Sequence, residues 1–293
     1  MKKKLFLALL LSLGTTSAFA GEGAVISVYG GGIQYEKSLK DKAYIGGVYF
    51  SQSFVPVGES FKVAVDAERT LIKYKKDSGI PDYGQKDLTG KINLYYGRNW
   101  DFSFGGHKVF IDKNNDNNPW ASFVGIKYYK YGIFNVGADG YYSNYDTSYI
   151  KFKVYQISPY FGAYFGNPYS YVAQYLGTYY AEMKIDYQKF NDGDDPFGEN
   201  NYLSGEIKII NYHRNWSLEI NGEFGTSSYK LTNGGYVMRN LAEQTVYSAG
   251  AKLNVTLTPS VSVSGAYTRS KIKYLDETKG SNNLFLLFVN ATF

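Results

Sequence analysis

From Tyr171 to Tyr187 the chain alternates between two kinds of side chain, and this run constrains the fold more than any other feature. One set is Tyr171, Ala173, Tyr175, Gly177, Tyr179, Ala181, Met183, Ile185 and Tyr187; the other includes Gln174, Thr178, Tyr180, Glu182, Lys184 and Asp186. A period of two places the sets on opposite faces of one β-strand. The run is far longer than the usual strand of about 5–6 residues. Aromatic residues near both ends of the apolar face are what a lipid-facing strand with two aromatic girdles requires. Glu182, Lys184 and Asp186 are then expected to face water, and Ala181, Met183 and Ile185 lipid.

The pattern recurs along the chain. Leu88, Ile92 and Leu94 oppose Asp87, Thr89 and Lys91; Trp216, Leu218 and Ile220 oppose Ser217, Glu219 and Asn221. No amphipathic helix is visible to cover a sheet, and no apolar run approaches the roughly 18 residues of a membrane-crossing helix. Turn chemistry divides the chain into strands at 24–36, 42–55, 61–74, 86–98, 102–112, 120–131, 133–145, 149–165, 171–188, 202–213, 216–229, 243–257, 261–275 and 283–293. The fold class is all-β: a transmembrane antiparallel up-and-down β-barrel of fourteen strands, with twelve or sixteen as alternatives. Short connections alternate with longer polar ones, so both termini are expected on the periplasmic side. At Gly30–Gly32 and Gly105–Gly106 the alternation slips, and β-bulges are expected there.

The two ends of the chain agree with this reading. Lys2, Lys3 and Lys4, the apolar stretch Leu5–Leu13 and the Ala18-Phe19-Ala20 site read as a secretory signal peptide over 1–20, leaving a barrel over 21–293. The mature chain loses three lysines, so its net charge falls from +5 to +2, and strong basicity is no argument for nucleic acid. There is no cysteine for lipid attachment or disulfides. At the other end, Phe285, Leu287, Val289, Ala291 and Phe293 alternate up to a terminal aromatic. That pattern resembles the assembly signal of bacterial outer-membrane barrels. It implies the barrel-assembly machinery and outer-membrane lipid and lipopolysaccharide as partners.

The run Leu94-Tyr-Tyr-Gly-Arg-Asn-Trp-Asp-Phe-Ser-Phe-Gly105, the segment Val48-Tyr-Phe and the terminal Val289-Asn-Ala-Thr-Phe293 resemble the monomeric outer-membrane porin G family. The resemblance implies a monomeric, weakly selective channel for ions and small hydrophilic solutes such as saccharides, with no cofactor.

Fourteen strands cannot be filled by their own side chains, so an aqueous lumen is expected. Alternation lines it with Lys62, Asp66, Glu68, Asp87, Lys91, Lys127, Asp139, Glu182, Lys184, Asp186, Glu206, Lys208, Glu219, Glu223 and Lys252. Six lysines against nine acids predict slight cation preference at most. Cross-strand pairing that stiffens the wall is the structural reading of the same residues. No connection exceeds about a dozen residues, so no large inward constriction loop is expected.

An outer-membrane enzyme of lipase or protease type would need a histidine beside a serine or aspartate. His107 and His213 show no persuasive partner in the sequence, and both are read as structural. Asp112, Asn114 and Asp116 have calcium-loop spacing, but Asn117 and Phe123 stand where glycine and a bidentate glutamate belong. Asp192, Asp194, Asp195 and Glu199 are a looser cluster; solvated loop acids are the better reading, and no metal is expected. Surface binding through the loops is a third class.

Porin G proteins that close in acid are thought to use a facing histidine pair on late strands that releases an outer loop into the pore. Here the equivalent strands lack histidine, while the loop Leu231–Ala242 is present with Tyr236, Val237 and Met238. A lid without an imidazole switch should leave the channel largely open from about pH 7.5 to about pH 5.5.

Overall fold

The computed structural model describes residues 23–54, 60–97, 99–112, 118–146, 151–166, 177–191, 196–239, 241, 243–276 and 278–293. The expected signal peptide lies outside these residues, as do Asn114, Asp116, Asn117, Asp192, Asp194, Asp195 and the 171–176 part of the alternating run.

The strands are β1 (Ala24–Glu36), β2 (Lys40–Phe54), β3 (Ser60–Tyr74), β4 (Tyr83–Tyr96), β5 (Trp100–Ile111), β6 (Trp120–Lys130), β7 (Phe134–Asp146) and β8 (Lys151–Phe165). There follow β9 (Thr178–Asn191), β10 (Asn201–Tyr212), β11 (Trp216–Ser228), the short β12 (Leu231–Thr232) and β13 (Val237–Met238), then β14 (Glu243–Thr258), β15 (Val261–Tyr274) and β16 (Lys279–Thr292). Each long strand pairs antiparallel with its neighbours, and β1 pairs with β16 to close a fourteen-stranded barrel. The short β12–β13 pair stands apart as its own two-stranded sheet. Closure leaves no edge with unpaired backbone groups, the condition for crossing lipid with strands.

The outer face is the apolar set of each alternation. Val124, Met183, Ile185 and Ile220 are roughly half exposed or more, far from the behaviour of core residues in a water-soluble sheet. Aromatic side chains cluster at two levels of this face. Trp100, Phe102, Tyr128, Phe134 and Phe161 stack near the end that carries the termini. Trp120, Tyr142 and Tyr155 stack near the other, which we call the far end.

The fourteen strands and their order agree with the sequence reading, with two corrections. β16 starts four residues earlier than expected, because Ser281 and Asn283 donate hydrogen bonds to Glu36 across the β1–β16 seam and carry the pairing past the membrane band. The expected bulges at Gly30–Gly32 and Gly105–Gly106 are absent: pairing runs through both without a shift. Space demands glycine there instead. A Cβ on Gly31 would collide with the Phe285 carbonyl oxygen, and one on Gly105 would sit 2.5 Å from the Phe123 ring. The real shifts lie at Phe224/Ser227, where Gly225 takes φ +84°, and at Thr245/Tyr247, Thr256/Thr258 and Lys40/Lys42.

Candidate functional site: the lumen and its inner segment

Residues paired across neighbouring strands share a face. Asp66 lies opposite Thr89, Glu68 opposite Asp87, Ala64 opposite Lys91 and Lys62 opposite Asn93. Further round, Lys127 stands opposite Asp101 and Asp139 opposite Gly125. Glu182 faces Lys208 and Lys184 faces Glu206; Glu206 faces Glu223, and Glu219 faces Lys252. Followed around the barrel, this register puts all fifteen charged positions, Asp186 among them, on the inner face, opposite the exposed apolar set.

Two zones form on that face. In the first, the Tyr29 hydroxyl donates to Asp66 at 3.1 Å and Glu68 at 2.9 Å, and Gln85 donates to Asp87 at 2.9 Å. His107 lies in this zone, buried, with Nδ1 2.7 Å from Thr89 Oγ1 and Nε2 3.1 Å from Asp87 Oδ1. His107 therefore has partners that sequence spacing did not reveal, since they sit on the neighbouring strand. Thr89 is fully buried and offers no hydroxyl to a substrate, so the arrangement holds the wall together rather than forming a nucleophilic site. His213, at the turn before β11, stacks on Trp216 with ring centroids 4.0 Å apart.

In the second zone Lys208 donates to Glu182 at 2.7 Å and Lys184 lies 3.4 Å from both Asp186 and Glu206. Here the sequence reading needs its main correction. The connection between β11 and β14 turns into the barrel. Its two-residue strands form a hairpin whose turn is Asn233-Gly234-Gly235, with φ of +53°, +64° and +93°, values that glycine and asparagine tolerate. A Cβ on Gly235 would run into the Phe123 ring, so only glycine lets the tip close on the opposite wall. Tyr236 meets Tyr49 of β2 with ring centroids 5.7 Å apart, and Lys91 of β4 reaches Gly234 O at 3.4 Å. The segment crosses the lumen. About six extended residues reach about 20 Å, so a connection of a dozen is long enough to enter and return.

Charge and apolar packing hold the segment in place. Lys230, fully buried, places Nζ 2.6 Å from Glu206, 2.7 Å from Asp186 and 3.0 Å from Glu223. Burial alone would push the Lys230 ammonium down, but Glu223, Glu206 and Asp186 hold it above the usual lysine range. Arg239 donates to Glu223 at 2.7 Å and to Ser227 at 3.0 Å. Tyr145 donates to the carbonyls of Tyr229 and Arg239, and Gln156 exchanges hydrogen bonds with the backbone of Leu231. Tyr229, Leu231 and Met238 pack into a buried cluster with wall aromatics that include Phe123, Tyr145, Phe152 and Phe190. Each such large apolar side chain contributes about 1.5–3 kcal/mol on full burial.

Asp186 thus lies on the inner face but has no exposure, because the segment covers it; the expectation that it meets water is wrong. Sequence reasoning also missed Lys230 and Arg239, two further cations of the lumen, and Asp101, which shares the inner face with Lys127. An Asn-Gly turn flanked by Leu231, Val237 and Met238 in a supposedly solvated loop was the available signal. Between the segment and the wall a cavity of about 530 Å³ remains, lined by Lys127, Asp139, Glu182, Lys208, Glu219 and Arg239 among others.

Closed, antiparallel, apolar outside and charged within, this barrel has the architecture of an outer-membrane channel. Solved structures similar to it belong to that class. The chain is 10% identical to the CymD monoaromatic hydrocarbon channel, covering 94% of this chain and 90% of that one, with a TM-score of 0.59. It is likewise 10% identical to the Pseudomonas putida toluene transporter TodX, with 94% and 91% covered and a TM-score of 0.56. An outer-membrane channel from Pseudomonas putida F1 gives 11% identity, 93% and 96% coverage and a TM-score of 0.50. At such identities the likeness is one of fold. No family model and no curated protein matches the chain.

Proposed function

We propose that this protein is an outer-membrane porin: a water-filled, weakly selective channel for passive diffusion of ions and small hydrophilic solutes such as saccharides. The observation that carries the reading is the inner face, where cations and carboxylates in near-equal number interleave around a cavity. Charges there cost little where water or an ion partner meets them, whereas Lys or Arg facing lipid at the midplane costs about 2–4 kcal/mol. Near-balance of the two signs favours weak selectivity. The same charges argue for hydrophilic solutes over the hydrocarbons named for two of its structural neighbours.

In this reading residues 1–20 are removed on export, both termini face the periplasm, and the alternating C-terminus from Phe285 to Phe293 addresses the assembly machinery. The barrel works as a monomer of porin G type among lipopolysaccharide, without catalysis or cofactor. The segment 229–241 sets the narrowest part of the path.

Liposome swelling tests this. Vesicles carrying the purified protein should swell in arabinose and glucose, and progressively less in larger oligosaccharides. Swelling no faster than in empty vesicles for any of these sugars would refute a diffusion channel. Cysteine scanning of β9 and β10 tests the wall. Glu182→Cys and Lys208→Cys should react with a charged thiol reagent, Met183→Cys and Ile185→Cys should not, and Asp186→Cys should react only when the segment is absent. Equal labelling of both faces would contradict the barrel's orientation in lipid.

A further inference from the structure

At the far end of the barrel a second cavity, of about 790 Å³, lies between the tips of three hairpins: β1–β2, β3–β4 and β15–β16. Its size falls within the range of about 300–1,000 Å³ found for small-molecule sites. It is separate from the cavity described above and shares no lining residue with it.

The lining combines two chemistries. Tyr74, Tyr274 and Leu241 form an apolar wall, Leu241 being packed at the edge of a buried group with Tyr35, Ala43 and Ile72. Leu39 and Leu275 stand at the mouth, 59% and 50% exposed, in hairpin tips where polar residues are the norm. Four lysines surround this wall: Lys37, Lys40, Lys75 and Lys279. Lys40 is committed to Glu243 at 2.6 Å. The other three form no ion pair among the described residues. The one carboxylate of the lining among the described residues, Asp276, has its Oδ1 occupied by Thr278, which donates from its backbone N at 3.1 Å and from Oγ1 at 2.6 Å. Three ammonium groups with no ion pair among the described residues, set around an apolar hollow, are complementary to one kind of guest.

We propose that this cavity binds an amphipathic organic anion, an aryl or medium-chain alkyl carboxylate, with its apolar body against Tyr74, Tyr274 and Leu241 and its charge among Lys37, Lys75 and Lys279. Cation and apolar wall are both needed. Charge alone at an exposed rim is screened within a Debye length of about 8 Å at physiological salt. Apolar contact alone would not select the acid over its neutral amide. Tyrosine and lysine side chains suit the task, since each offers an apolar body and a polar end.

The test uses the full-length protein in lipid nanodiscs and fluorine NMR of 4-(trifluoromethyl)benzoate, with 4-(trifluoromethyl)benzamide, acetate and inorganic phosphate as comparisons and protein-free nanodiscs as blank. The benzoate should show saturable line broadening beyond the blank. The amide and acetate should not, and phosphate should displace the benzoate at least tenfold more weakly than unlabelled benzoate does. The variant Lys37→Gln/Lys75→Gln/Lys279→Gln should weaken the benzoate at least tenfold, and Leu39→Gln/Leu275→Gln should weaken it by a similar factor. All five positions lie in or next to hairpin tips, and an unchanged shift in gel mobility on heating shows that the variants remain folded. Benzoate binding unchanged in the lysine variant would overturn the proposal. So would phosphate competing as well as benzoate, which would mark a site for simple anions or lipid phosphate. Because no flux is measured, failure here leaves the channel reading untouched, and failure of the channel reading leaves this site testable.

Discussion

Replacing Lys230 with methionine should expel the inner segment from the lumen. The substitution keeps the apolar stem and removes the one cation that touches Asp186, Glu206 and Glu223 together. Removing one partner from a buried ionic group costs about 3–5 kcal/mol, because the remaining charges lose compensation. At a factor of about ten for each 1.4 kcal/mol, the balance between segment in and segment out shifts by about two to three and a half decades. The barrel itself, held by its backbone ladders, should stay intact. The measurable results are a larger unitary conductance and cleavage of the connection by protease added from the far side. Lys230→Arg, which keeps the charge, should behave closer to the parent. Adding Glu223→Gln to Lys230→Met should restore part of the closed population. An unchanged conductance in Lys230→Met would mean that the apolar cluster around Tyr229, Leu231 and Met238 holds the segment unaided.

The same lock bears on pH. Lys230 belongs to the connection rather than to a wall strand, and its carboxylate neighbours raise its ammonium above the usual range. A group raised on folding stabilises fully below its unfolded pKa and loses that contribution as pH climbs through the folded value. For a lysine, whose reference is about 10.4, the loss falls in strongly alkaline solution. Between about pH 5.5 and about pH 7.5 the lysine stays charged, so mean conductance should be nearly flat there. A steep closure or opening near pH 6 would contradict the lysine lock as the element that sets the conductance.

Gly31→Ala should abolish assembly of the barrel. The pairing of β1 with β16 closes the barrel, and Gly31 lies mid-seam opposite Leu286. The added methyl would strike the Phe285 carbonyl oxygen, so a ladder must part rather than a side chain rotate. Loss of the heat-dependent shift in gel mobility, with accumulation of degraded chain, is the expected result. Gly30→Ala is the control: its nearest contact would be the Ile45 carbonyl oxygen at an ordinary 3.6 Å, and it should assemble.

The wall was legible in the sequence because lipid on one side and water on the other write a period of two into every strand. Periodicity alone assigns Glu182, Lys184 and Glu206 to the inner face and Met183 and Ile185 to the outer one. Glycine misled at Gly31 and Gly105. A missing side chain looks the same in a sequence whether it marks a bulge or a close approach, and only the distance to Phe285 or Phe123 separates them. Partners on neighbouring strands were invisible for a related reason. Thr89 and Asp87 meet His107 eighteen and twenty residues away through the register of β4 on β5, which spacing alone does not give. The inner segment was lost because loop residues are assumed to meet solvent. Lys230 reads as an ordinary surface lysine until the carboxylates of three strands converge on it.

Single-channel recording in a planar bilayer, comparing the parent with Tyr49→Cys/Tyr236→Cys, tests the central claim most directly. The two rings are 5.7 Å apart, and the chain has no other cysteine to interfere. The parent should give discrete ohmic steps with brief excursions to a higher level as the segment leaves the lumen. Bridging the two cysteines with a bis-methanethiosulfonate reagent long enough to span the space of the two lost rings should keep the steps and abolish the excursions, and reduction should bring them back. A purified, folded protein that gives no steps at all would contradict the pore, and excursions that persist after cross-linking would contradict the segment as its constriction.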